Sequence, residues 1–235
     1  MIIPRLSAER GYADHGWLKA LHSFSFAEYY DPKEMGWGAL RVINEDRIVP
    51  GAGFGKHGHR DMEIVTYILD GALEHRDSLG NGGIIRRGEV QRLSAGKGIL
   101  HSEFNPSVNE GTHLLQIWIE PAQLGRPASY EQQALPEAEL RGRWRLVASP
   151  DGAQGSTTIG QDAKLWASLL APGEALSYEL AGGRLAYAHV IRGRLAINGQ
   201  ILATGDAAKI ADETCLDFRA DEETEFLLFD LPPLA

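Results

Sequence analysis

Apolar residues along the first half of the chain fall in short alternating or continuous runs, at 39–43, 63–69, 88–93 and 113–119. Alternation with period two, together with β-branched and aromatic residues, predicts strands. Asp70-Gly71 and Gly80-Asn81-Gly82-Gly83 separate the runs and suit hairpin turns. No helical period comes between the runs, so the series predicts antiparallel β-structure and not βαβ units. Residues 121–143 bring Pro121, Pro127 and Pro136 with several charges and little strand pattern, as expected of a connecting arm. A second strand series follows. Residues 188–199 echo 67–74 as strand, glycine turn and strand, and 205–210 stand to Gly193 much as 88–93 stand to Gly71. The echo predicts a duplicated β-barrel unit, whose closure would also deal with exposed sheet edges.

Composition sharpens this picture. Glycine supplies 27 of 235 residues, about 11%, against a usual ~7%, which fits many tight connections in an all-β chain. The formal net charge of −9 sets an unfavourable field for a phosphate backbone, so direct nucleic-acid binding is not expected. Cys215 is the single cysteine and cannot form a disulfide within the chain. Met1-Ile2-Ile3-Pro4-Arg5 opens without the apolar run of a secretory signal, and no stretch approaches the ~20 apolar residues of a membrane span. A soluble, cytoplasmic protein is expected.

Two short motifs carry candidate chemistry. His57-Gly58-His59 precedes an alternating run, and His101-Ser102-Glu103 repeats the same i, i+2 spacing. On a strand that spacing puts both side chains on one face. Two such pairs on neighbouring strands inside a barrel would bring four N/O donors to one point, as a divalent transition metal requires. The alternative is a pair of exposed turn histidines beside an unrelated ion pair.

The segment Gly51-Ala52-Gly53-Phe54-Gly55-Lys56-His57-Gly58-His59, followed by Gly71, resembles the first cupin motif. Glu63 falls one residue early for that motif's glutamate and takes no ligand role. Gly88 through Ser94-Ala95-Gly96, Gly98-Ile99-Leu100-His101 and Asn105 resemble the second. More narrowly, His15-Gly16-Trp17-Leu18, His22-Ser23-Phe24-Ser25-Phe26-Ala27, His57-Gly58-His59-Arg60-Asp61-Met62-Glu63, Glu74-His75-Arg76-Asp77-Ser78 and the run from Ser94 to Glu103 resemble the pirin family, as does the closing 227–232. The resemblance implies two tandem cupin barrels, of the double-stranded β-helix or jelly-roll kind. It divides the chain into an N-terminal metal-binding domain, 1–130, and a C-terminal domain, 131–235, without the ligand set. It also implies that His57, His59, His101 and Glu103 hold the metal. The second half agrees, having only His189 and no H-x-H. Iron is the leading expectation, with manganese, nickel, cobalt, copper and zinc also suited to three imidazoles and a carboxylate.

Other residues draw blander expectations. His75 and Asp77 could orient a ligand, but hydrogen bonding within the hairpin turn is favoured. Asp61 and Glu63 share the histidines' face if that strand is regular, and are expected as solvated or ion-paired carboxylates ahead of pocket residues. The aromatics of residues 22–26 are expected in the core. Gly51-x-Gly53-x-Gly55 lacks the following helix of a dinucleotide fingerprint, and Ala95-Gly96-Lys97-Gly98 is no phosphate loop. Cys215 reads as an inert strand residue and His189 as a lone strand histidine.

Bacterial pirin-like proteins resemble quercetinases, which implies a metal-dependent dioxygenase opening the heterocycle of a flavonol with O2 and releasing carbon monoxide. Glu103 would take the flavonol hydroxyl proton as general base. The alternative is a metal- or redox-sensing regulatory protein acting through protein partners, as some eukaryotic pirins look to be. A cupin isomerase or hydrolase using the same metal as a Lewis acid is a third reading.

Overall fold

The structure, a computed structural model, describes residues 1–233. It is almost wholly β, and its three sheets form two cupin domains. The N-terminal domain is a nine-stranded sheet ordered Gly11–Asp14, Leu18–His22, Leu40–Ile48, Thr112–Ile119, Gly53–Asp70, Glu89–Phe104, Ala72–Asp77 and Gly82–Arg86, with Ser129–Ala134 added against Glu89–Phe104. Gly53–Asp70 and Glu89–Phe104 are its two longest strands. Their pairing shifts register between Phe54 and His57 and again between His59 and Asp61. Bulges bend a strand and raise its twist, and here the sheet folds over on itself around Leu18, Ile48, Ile68, Leu73, Ile85 and Leu114. Among the described residues its edge strands do not pair, so the domain is a folded-over sheet and not a closed barrel.

The C-terminal domain packs a seven-stranded sheet on a four-stranded one, Ala175–Glu179, Cys215–Ala220, Arg194–Ile197 and Gln200–Ala203. The strand Thr224–Leu231 shows how both faces of the larger sheet are used. Phe226 and Leu228 enter the core between the two C-terminal sheets. Leu227, Phe229 and Leu231 point the other way, into a core shared with Val65, Tyr67, Leu115 and Ile117 of the N-terminal sheet. Burial on both faces accounts for an uninterrupted apolar run where one-sided burial would give alternation.

The duplication is visible at two corners. Gly71 and Gly193 both have left-handed backbones, φ +72° and +90°. A Cβ on either would lie 2.5 Å from a backbone oxygen, that of Gly111 or of Glu223. Beside each corner a threonine hydroxyl, Thr112 or Thr224, donates to the carbonyl of the residue after the glycine, Ala72 or Arg194. The same device thus turns the chain in both halves.

The halves also exchange edges. The expected boundary after residue 130 falls inside Ser129–Ala134, which pairs with residues 89–94 of the N-terminal sheet. Ile2–Arg5, at the other end, pairs with Ala207–Ile210 of the C-terminal sheet. No helix of the described residues is long and apolar enough to cross a membrane.

Candidate metal centre

His57 and His101 lie directly opposite each other on adjacent strands, and His59 faces Ile99 two positions further on. The ring centroids form a tight triangle: 4.4 Å from His57 to His101, and 4.8 Å from His59 to each of the others. Nδ1 of His57 donates to the Gly55 carbonyl over 2.8 Å, which leaves Nε2 with the lone pair. That nitrogen faces Nε2 of His101 at 3.0 Å. Glu103 is buried two positions beyond His101; Oε2 accepts from Nε2 of Gln116 over 3.0 Å, while Oε1 has no partner. The potential ligand atoms of His57, His59 and His101 lie within 4.8 Å of one another, and Glu103 joins His101 and His75 in an overlapping group. Three imidazoles converging beside a buried carboxylate with an orphaned oxygen fit a divalent N/O metal.

Burial sets the electrostatics. It pushes His59 down to about 4 and His101 down to about 3, with the neighbouring histidines adding to the effect. Both rings are therefore neutral, ligand-ready imidazoles at pH 7. Burial lifts the Glu103 carboxyl to about 7. Asp46, also buried, rises to about 7 through burial first and then the charges of Glu103 and Glu45.

His57, His59 and Glu103 line a cavity of about 830 Å³, the size range of small-molecule sites. Phe26, Phe54 and Trp118 give it aromatic walls, with Trp118 set edge-on to both Phe26 and His59, ring centroids 5.3 and 5.0 Å away. A polar side is made by His22, Asn44, Asp46 and Gln116. The expectation that residues 22–26 belong to the core is thus half corrected. Phe24 is in the core, but His22 and Phe26 face the cavity. The strand Leu18–His22 ends there and the chain bends at Ser23 and Phe24, so the i, i+2 rule of an extended strand no longer holds.

Asp61 and Glu63 do not join the histidines. The bulge after His59 breaks the alternation on which a shared face depended, and Asp61 has φ +63°. Its carboxylate accepts from the Gly125 amide, while Glu63 is buried under Ser94, which donates to it. Asp77 does cap its hairpin, accepting from the amides of Leu79 and Asn81, and it also reaches His75. Cys215 is exposed on the four-stranded sheet, far in the fold from these histidines. His189 is buried with Nδ1 unpartnered. Among the described residues, both groupings able to hold a metal lie in the N-terminal domain.

Sequence reasoning missed Asn44, Asp46, Gln116 and Trp118. Their signal was the phase of alternation, since Leu114, Gln116 and Trp118 face the N-terminal interior while Leu115, Ile117 and Ile119 face the other domain. That phase is readable only once both faces are known to be buried.

Comparison with known proteins agrees with this architecture. Residues 5–119 match the Pirin family model, and residues 146–231 match the model of the quercetinase C-terminal cupin domain. A protein of Escherichia coli strain K12 named quercetin 2,3-dioxygenase is 47% identical over the full length of both chains. A pirin-like protein of Caulobacter vibrioides is 45% identical over 94% of this chain and 95% of its own. The bacterial pirin YhhW of Escherichia coli, solved in complex with nickel(II), superposes with a TM-score of 0.96 at 47% identity and full coverage of both chains. The paired cupin domains, the histidine cluster confined to the first of them and these full-length likenesses lead to one conclusion: the chain belongs to the pirin family.

Proposed function

We propose that the protein is a metal-dependent dioxygenase that opens the heterocyclic ring of flavonols such as quercetin with O2 and releases carbon monoxide. His57, His59, His101 and Glu103 hold the metal in this reading. The observation that carries it is Glu103: a buried carboxyl with an orphaned oxygen, beside three imidazoles, at the wall of an aromatic-lined cavity. The Escherichia coli relatives named for quercetin dioxygenation or solved with nickel(II) support it.

A divalent metal bound there supplies Lewis-acid stabilisation of a deprotonated flavonol and a route for its reaction with O2. The remaining work falls to the chain. Phe26, Phe54 and Trp118 hold a planar ring system and exclude water from it. Glu103, buried at the cavity wall with Oε1 unpartnered, is placed to accept the hydroxyl proton. Gln116 holds the carboxylate in place through Oε2.

Oxygen uptake with quercetin, measured on protein loaded in turn with iron, nickel and the other candidate metals, tests the proposal. One carbon monoxide released per O2 consumed, lost in His101→Ala, is the expected result. No uptake with any metal despite confirmed loading overturns it.

A further inference from the structure

His75 is completely buried on the strand Ala72–Asp77, and the proposed reaction does not use it. Cross-strand register places it opposite Glu103, and Asp77 opposite His101. Its two ring nitrogens face different partners. Nε2 lies 3.2 Å from Oδ2 of Asp77, and Nδ1 lies 3.4 Å from Nδ1 of His101. The ring stacks on Tyr130, centroids 4.8 Å apart and planes 18° from parallel. Asp77 is itself anchored, accepting from the amides of Leu79 and Asn81 on Oδ1 and from Nδ2 of Asn81 on Oδ2.

With the facing Nε2 atoms of His57 and His101 both left free for a metal, these contacts fit one arrangement of protons. A carboxylate only accepts, so Nε2 of His75 carries the hydrogen and Nδ1 carries the lone pair. The hydrogen between the two Nδ1 atoms then belongs to His101. That leaves the lone pair of His101 on Nε2, the nitrogen turned toward Nε2 of His57 at 3.0 Å.

We propose that Asp77 and His75 are positioning residues, a carboxylate–imidazole relay that fixes the tautomer of His101 and strengthens it as a metal ligand. The inference rests on the reading of His101 as a ligand and requires no particular substrate. Partners of this kind orient a metal-bound histidine and raise its basicity. The same contacts could instead serve only to pack the hairpin against Tyr130, and the two roles rank substitutions in opposite orders. His75→Phe keeps an aromatic ring on Tyr130 and removes both nitrogens. His75→Gln loses the ring but can donate to Asp77 through its amide and accept from His101 through its oxygen.

The test is nickel and zinc affinity by competition with a chelating dye, with ¹⁵N NMR of the histidine rings reporting the His101 tautomer and no substrate present. The relay predicts a loss of about 10- to 100-fold for His75→Phe, a smaller loss for Asp77→Asn, and recovery toward wild type in His75→Gln. It also predicts His101 protonated on Nδ1 in the wild type and mixed tautomers in His75→Phe. His101→Ala separates the two layers of the argument. If it abolishes binding while His75→Phe binds as wild type or better than His75→Gln, the relay is wrong and the ligand assignment stands. If His101→Ala itself binds as wild type, the ligand assignment falls and the relay with it.

Discussion

Gln116 donates from Nε2 to Oε2 of Glu103 over 3.0 Å, and its amide is held in that orientation by the Thr66 hydroxyl, which donates to Oε1 over 2.8 Å. Thr66 in turn accepts from Nε2 of Gln91 at 3.4 Å. The chain of bonds ends on a buried carboxylate, and a hydrogen bond to a charged group contributes about 1.5–3 kcal/mol. Gln116→Leu removes the donor at similar volume. The loss of a bond that favours the ionised form raises the Glu103 carboxyl above its present value of about 7. Metal binding must then compete with a more tightly held proton, so its pH midpoint moves upward. Metal titrations of wild type and variant from about pH 5 to about pH 9, roughly two units on either side of that value, check this. Coincident profiles would show that Gln116 does not hold the carboxylate.

Glu103→Gln separates holding the metal from accepting the proton. The three imidazoles remain, so elemental analysis should still find metal in the variant. Turnover of quercetin should fall by about 10²- to 10⁴-fold, the usual contribution of a positioned general base. Full activity in a metal-loaded variant would remove Glu103 from that role.

The histidine pairs were legible because both motifs are local: an i, i+2 spacing needs only an extended chain to present both side chains together. What was hidden depended on departures from regular geometry or on distant partners. Asp61 continues the spacing of His57 and His59 in sequence, but the bulge after His59 cancels it in space. Gln116 and Trp118 sit in a strand whose two faces serve a cavity and a domain interface, which no single run of letters distinguishes. Phe24 and Phe26 look alike in sequence and are parted only by the direction of the chain. The link of His75 to His101 joins strands 26 positions apart and depends on sheet register.

His189 gives the apo protein an acid-sensitive element. Burial pushes it down to about 3, with the Arg10 charge adding to the effect, against about 6.5 when exposed. The unfolded chain therefore binds the proton more readily. Its contribution to stability is complete above about pH 6.5 and is lost as pH falls toward about 3, at up to ~1.4 kcal/mol per unit. His189→Leu should flatten the fall in stability across that window. Urea unfolding with chelator present, at several pH values between those limits, reads the slope, and an unchanged slope would exclude His189 as a source.

Phe229 tests whether the two domains are independent. Its strand is buried throughout, and Phe229 enters the core between the domains, where it meets Tyr187 with ring centroids 6.2 Å apart. The seam also carries a buried carboxylate, Glu225, which accepts from the Tyr67 hydroxyl and from Arg87, both N-terminal, each over 2.9 Å. Ile2–Arg5 crosses the same boundary as an edge strand of the other domain's sheet. A truncation in this shared core therefore removes packing from both sheets at once. Phe229→Ala should cost about 3–5 kcal/mol and leave one cooperative transition. Trp17, Trp37 and Trp118 stand in the N-terminal domain and Trp144 and Trp166 in the C-terminal one, so fluorescence of proteins keeping only one set, compared with circular dichroism, reports each half. Transitions that separate in the variant but not in the wild type would show that the domains are stable apart and that the seam only aligns them; coincident, lowered transitions would show a single folding unit, in which the metal centre's rigidity is borrowed from a domain without ligands of its own.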